Sequence, residues 1–292
     1  MAADLGLHVT RIRRVSKADA HGLGARHWHV WTADNRRLVL RRAAWVRTVP
    51  EVEYERRVLR HLSRLGWKVP RPVGGIHLDS RARVWTCATH VGGRRWGDSG
   101  KEQRARGVLL ARLHAALGEL TQVAGQRPGW AAEPDLERSP AMTAWNQGLE
   151  ALAGIQPDLV RPIREALGRV RGELHDIDMS AWPRTIVHGD FTTSNLRRPA
   201  GVIDFDLCHL GTRPWEFAIA RCQRSPLVID GYRDEALRLG FPLSREEEAG
   251  VPPCYRGLKV LMIATELHTG LVSGHFDIPM IETQLEKTTF GL

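Results

Sequence analysis

With 292 residues, 42% of them hydrophobic, the chain has material for one large or two small cores. A formal charge of +9, from 42 Lys and Arg against 33 Asp and Glu, comes without any run of five basic residues, and pairs such as Arg13 with Arg14 and Arg36 with Arg37 read as solvated surface, so no nucleic-acid partner is expected. The four cysteines include no C-x-x-C pair, which argues against a zinc site or a disulfide framework, and the lack of a secretory leader or of any uncharged apolar run near ~18 residues leads us to expect a cytoplasmic protein with no membrane partner.

In chain order, Val9 to Val15, His27 to Ala33 and Arg36 to Ala43 read as strands, the last two joined through an Asp34-Asn35 turn. Between the first two lie Gly22 and Gly24, where backbone amides could approach phosphate; a plain hairpin turn accounts for the same glycines. A helix follows over Val52 to Leu62, with Val52, Glu55, Leu59 and Leu62 at helical spacing. Glu55 therefore falls among core-facing positions, where a carboxylate is costly unless a cation on a neighbouring strand pairs it; the other reading makes it an ordinary surface charge. Val69 to Pro72 breaks regular structure, and Val84 to Thr89 is another strand. Glu102 to Leu120 is an amphipathic helix in which His114 is expected as a satisfied core or capping histidine. Gln126 to Ser139 reads as loop and Pro157 to Ile177 as helix.

The chemistry concentrates in the next stretch. Two apolar runs, Thr185 to Val187 and Val202 to Ile203, read as short strands that each end in polar groups. Around them stand Asp190, Asn195 and Asp204, two carboxylates and an amide, which are the oxygen ligands a hard cation such as Mg²⁺ takes beside phosphate. Phosphoryl transfer needs such a set: one carboxylate to orient the attacking hydroxyl, and an amide and a carboxylate to hold metal on the phosphates. Beyond it, Pro214 to Ala220 begins a helix, and helical patterns recur at Tyr232 to Leu239 and Tyr255 to His268. Asp230, Asp234, Glu235 and the acids Glu246 to Glu248 admit two readings, an acidic acceptor pocket or a solvated face.

The run His188-Gly189-Asp190, with Asn195 after it and Ile203-Asp204-Phe205-Asp206 beyond, resembles the aminoglycoside phosphotransferase and choline kinase-like family, a small-molecule branch of the protein-kinase fold. The resemblance implies ATP as donor, Mg²⁺, Asp190 as catalytic base, and Asn195 and Asp204 as the metal pair. Asp206 is implied either as a further metal ligand or as an acceptor of hydrogen bonds from its loop. It places the phosphate-binding cation of the third strand on Arg41, paired with Glu55. It also assigns backbone contacts with adenine to Thr89 and Val91 and the rear of that pocket to Ala88. His188 is implied as a loop-holding residue, and Glu216 stands where the family usually carries Asp to brace the catalytic loop.

The expected fold class is therefore α+β and two-lobed: a small antiparallel sheet lobe over residues 1–90 that binds nucleotide, and a larger mainly helical lobe over 91–292 for catalysis and the acceptor. The expected reaction is transfer of the ATP γ-phosphate to a hydroxyl of an aminoglycoside-like, amino-alcohol, homoserine or sugar acceptor. The alternative is an inactive module that binds nucleotide without turnover. A protein kinase is disfavoured, because the chain has no Asp-Phe-Gly or Ala-Pro-Glu segment.

Overall fold

The structure is a computed structural model that describes residues 7–15, 26–44, 47–129, 136, 142–222 and 224–289. In chain order the elements are β1 (Val9–Arg14), β2 (Arg26–Thr32), β3 (Arg37–Arg42), α1 (Val49–Arg64), β4 (Pro72–Leu78), β5 (Val84–Thr89), α2 (Gly100–Ala124), α3 (Trp145–Ala153) and α4 (Pro157–His175). The short strands β6 (Arg184–Val187), β7 (Leu196–Arg197), β8 (Gly201–Val202) and β9 (His209–Thr212) follow. Then come α5 (Arg213–Cys222), α6 (Leu227–Arg238), α7 (Arg245–Ser273) and α8 (Ile278–Thr289). The chain divides into two compact units: Met1–Trp96 with Thr193–Asp206, and Gly97–Thr192 with Leu207–Leu292.

The first unit is built on an antiparallel sheet of five strands in the order β1-β2-β3-β5-β4. Its core is small, with Val30, Leu38 and Cys87 on the sheet and Val52 of α1 against Ala43 and Val84. A capping box fixes the start of α1: the Thr48 hydroxyl accepts from the Glu51 amide, and the Glu51 carboxylate accepts from the Thr48 amide. Sequence periodicity missed β4, because Pro72, Gly74 and Gly75 read as punctuation. As an edge strand it tolerates Pro72, and a register shift between Val73 and His77 absorbs the glycines. The hairpin of β7 and β8 also belongs to this unit.

In the second unit α2 and α6 approach closely through glycines. A Cβ on Gly107 would stand 2.1 Å from the Val228 carbonyl oxygen, and one on Gly231 would stand 2.0 Å from that of Arg104. The main core gathers Leu149, Ile163, Val170, Ile263 and Leu267 from α3, α4 and α7. The pair β6 and β9 sits beside α2 and α5 and carries the loop that begins at His188. Three of these elements, α3, α8 and β9, were not read from the sequence; β9 is too short to show a period, and α3 lies beside residues read as loop. Among the described residues no helix is long and apolar enough to cross a membrane.

Candidate active site

In the first unit, strand register sets the site. The cross-strand rows His27, Arg41, Thr86 and His29, Val39, Ala88 are two residues apart along each strand and so look out on the same face of the sheet. All six residues line one cavity of about 360 Å³, a volume in the range of ligand pockets. Glu55, Thr89, Val91 and Asp204 line it too. Arg41, Glu55, Ala88, Thr89, Val91 and Asp204, each singled out in the sequence, are thus brought together around one space.

The Arg41 guanidinium is ion-paired with the Glu55 carboxylate, Glu55 being buried and the Arg41 side chain 12% exposed, so Glu55 is no ordinary surface charge. Arg41 also stands 3.6 Å from the Asp206 carboxylate. Arg47 adds a second guanidinium, 3.4 Å from Asp206 and 3.1 Å from Glu51. Burial works against the charge on Arg41, but Glu55, Asp206 and Asp204 more than offset it and hold its pKa above the ordinary arginine value. A cation of this kind stays charged in a cavity that would receive phosphate.

The β7–β8 hairpin fixes the relation of Asn195 to Asp204. Leu196 pairs with Val202, and the Ile203 amide donates to the Asn195 carbonyl at 2.9 Å, which sets the two residues at one end of the hairpin. Asn195 is buried and Asp204 is exposed. Asp204 has φ 64°, a left-handed conformation that a residue other than glycine adopts at a cost and that concentrates at functional sites.

In the second unit, β6 delivers the His188 loop. His188 is fully buried, and its amide donates to the Glu216 carboxylate on α5, with the Gly189 amide 3.4 Å from the same oxygen. Gly189 has φ 80°, and a Cβ there would meet the Leu207 carbonyl oxygen at 2.4 Å, so the turn requires glycine. Asp190 follows, half-buried, its amide donating to the His188 ring at 3.2 Å. The longer side chain of Glu216 therefore does reach the loop it was expected to brace. Burial alone would raise the Glu216 carboxyl, but the His114 ring, 3.9 Å away, and the His188 loop with its donated amide outweigh it and lower the pKa. His114 is held below its ordinary value, chiefly by burial; its Nδ1 meets the Tyr232 hydroxyl at 2.9 Å, while its buried Nε2 has no hydrogen-bond partner among the described residues, so the ring is a core histidine satisfied at one nitrogen only.

Of the six acids singled out on the C-terminal helices, four are ion-paired, and Asp234 and Glu246 are exposed. Glu235 pairs with Arg112 and Arg238, Asp230 with Arg104 and Arg233, Glu248 with Arg233, and Glu247 with Arg213. Gly22, Gly24 and most of the Gln126 to Ser139 loop lie outside the described residues. Sequence reasoning missed His29, His90 and Arg197 on the cavity wall and the contact of Arg47 with Asp206. For His29 a signal was present, since the alternation along β2 sets His27 and His29 on the face that carries Arg41.

The model of the phosphotransferase enzyme family matches residues 16–245, more than half of the chain. No curated protein matches. Among solved structures, amicoumacin kinase hAmiN, in complex with AMP-PNP, Ca²⁺ and Ami, is similar with a TM-score of 0.71 at 15% identity, over 98% of this chain and 90% of that one. A thermostable mutant of aminoglycoside phosphotransferase APH(4)-Ia gives 0.67 at 16% identity, over 96% and 93%. The microcompartment-associated aminopropanol kinase gives 0.67 at 17%, over 96% and 89%. At these identities the likenesses establish the fold, the two-lobed kinase-like class expected from the sequence.

Proposed function

The chain belongs to the phosphotransferase enzyme family, as an ATP-dependent phosphotransferase acting on hydroxyl groups of small molecules, and from that premise we propose how its residues divide the work. The phosphates of ATP lie against Arg41, which Glu55 holds in place, and Asp204 and Asn195 hold Mg²⁺ on them. The observation that carries this reading is the Arg41–Glu55 pair on the wall of a cavity that Asp204 also lines. The donor chemistry fits the metal: an amide oxygen and a carboxylate are hard ligands, and Mg²⁺ takes one or two such groups together with substrate phosphates. When bound, the cation neutralises charge that builds on the phosphoryl oxygens. Asp206, facing two guanidiniums, serves either as a further ligand or as the acid that orients Arg41 and Arg47.

Asp190 accepts the proton of the acceptor hydroxyl as its oxygen attacks the γ-phosphorus and ADP leaves. Adenine hydrogen-bonds to main-chain groups of Thr89 and Val91, with Ala88 behind it. The amides of Thr89 and His90 are already engaged with the carbonyls of Arg71 and Arg37, which supports Val91 as the donor of this segment. The acceptor is an aminoglycoside-like compound, an amino alcohol, homoserine or a sugar. ATP consumption measured with Mg²⁺ over a panel of these hydroxyl compounds tests the reading. Turnover with one class identifies the acceptor, and no turnover with any of them, together with retained ATP binding, sinks the assignment in favour of a binding module.

A further inference from the structure

Two carboxylates one turn apart on α1 each hold a guanidinium: Glu55 is ion-paired with Arg41, and Glu51 accepts from Arg47 Nη1 at 3.1 Å. Both guanidiniums then meet the single carboxylate of Asp206. Arg47 Nη2 donates to Asp206 Oδ2 at 3.4 Å, and Arg41 Nη1 stands 3.6 Å from Oδ1, so each oxygen faces a cation anchored on the helix. Both arginine side chains are largely buried, where such contacts are little screened by water. Glu51 is itself fixed, because its second oxygen accepts from the Thr48 amide at 2.8 Å and from the Thr48 hydroxyl at 2.9 Å. Arg47 therefore ties Asp206 to the capped first turn of a helix rather than to a loop. Two residues before Asp206 stands Asp204 with φ 64°, a conformation that a residue other than glycine keeps only where its surroundings enforce it. A carboxylate gripped at both oxygens two residues further on supplies that enforcement. Arg47 does not line the donor cavity, whereas Arg41, Glu55 and Asp204 do.

We infer that Arg47 is a positioning residue for the metal loop: with Arg41 it clamps Asp206 and so holds Asp204 in the left-handed conformation from which it serves the cation. The inference rests on the proposed use of Asp204 as a metal ligand. It makes Asp206 the clamped acid rather than a further ligand, and it gives the start of α1 a part in metal binding.

Calorimetry of ATP with and without Mg²⁺ tests it on the wild type, Arg47→Met, Arg47→Lys, Asp206→Asn and the double variant of Arg47→Met with Asp206→Asn. Met keeps the apolar stem of Arg47, and Glu51 retains its two donors from Thr48. In Arg47→Met, ATP should bind nearly as in the wild type without metal, while the strengthening by Mg²⁺ should shrink about fivefold to tenfold, the scale on which a strained conformation loses population once untethered. Asp206→Asn should show the same loss, the double variant no more than either single one, and Arg47→Lys a partial recovery, since the charge returns without the fork. Undiminished strengthening by Mg²⁺ in Arg47→Met overturns the assignment. Equal losses with and without metal also overturn it, because they mark a cation acting on the phosphates, and so do losses that add in the double variant. If Mg²⁺ does not strengthen ATP binding in the wild type, or does so equally in Asp204→Ala, the reading of the metal pair fails and this assignment with it. Thermal melts identify a variant that fails to fold, and Asp206→Asn and Arg47→Lys then decide.

Discussion

Among single residues, the tasks proposed for Asp190 and Arg41 are separable, and substitution should divide them. If Asp190 accepts the hydroxyl proton, Asp190→Asn should lower kcat by about 10²–10⁴-fold, the range of general-base catalysis, and leave ATP affinity nearly intact. Unaltered turnover would remove Asp190 from the base role. Arg41→Ala should act on the donor and on the fold together. ATP binding should weaken, and Glu55 would be left as a buried charge without its partner, which costs about 3–5 kcal/mol. Denaturant titration reads the second effect independently of the first, and Arg41→Lys should recover part of each, because it restores the charge without the fork. Equal ATP affinity in wild type and Arg41→Ala would confine Arg41 to a structural part.

At the scale of elements, the short β7–β8 hairpin of the first unit carries the proposed metal pair, and the loop after β6 in the second unit carries the proposed base. The hairpin ties Asn195 to Ile203 through one backbone bond and presents Asp204 next to it, in a left-handed conformation. Mg²⁺ should therefore strengthen ATP binding, and Asp204→Ala should abolish both that strengthening and phosphoryl transfer; Asp206→Ala should do less to the metal, its carboxylate being turned to Arg41 and Arg47. Calorimetry of ATP with and without Mg²⁺ checks this, and metal-independent binding unaffected by loss of Asp204 would contradict it. The loop after β6 depends on Gly189 for its turn and on Glu216 for its brace, a division that fixes the backbone before Asp190 is reached. The resemblance stated from the sequence already placed Glu216 there; the structure adds that its extra methylene spans the distance.

For the whole molecule, buried neutral histidines give stability a defined pH dependence. His29 and His114 both have pKa values depressed in the folded state, His29 to about 4. The unfolded chain binds their protons at higher pH than the folded one, so the stability is fully present above the ordinary histidine value of about 6.5. It is lost progressively as pH falls from there toward the folded values. Thermal midpoints measured between about pH 7 and pH 5 should fall on acidification, and the slope should be shallower in His29→Phe, which removes one of the groups. A midpoint independent of pH over this range, or the same slope in the variant, would contradict the prediction. Glu216, whose pKa is also depressed, adds its loss at lower pH, below the ordinary carboxylate range.

What the sequence determined by itself was local. The spacing of Val52, Leu59 and Leu62 marks α1, and the order Asp190, Asn195, Asp204 marks the reaction type, because periodicity and motif act between residues near in the chain. The carboxylate Glu55 was legible as one that needed a cation, since its helical position set its burial. That the cation is Arg41, 14 residues away, needed a family resemblance to be said, and that Arg47 meets Asp206, 159 residues away, was not legible at all. Such pairs follow from how strands align and which surfaces exclude water, and neither is written in a local pattern. The same reason hid β4, whose Pro72 acts as a strand residue because β5 pairs with it and whose glycines fall in the register shift between Val73 and His77, and it hid the place of His29 in a row with Val39 and Ala88. Tertiary structure also decided the fate of four C-terminal acids: their sequence allows an open anionic pocket, but arginines of α2, α5 and α6 pair with Asp230, Glu235, Glu247 and Glu248.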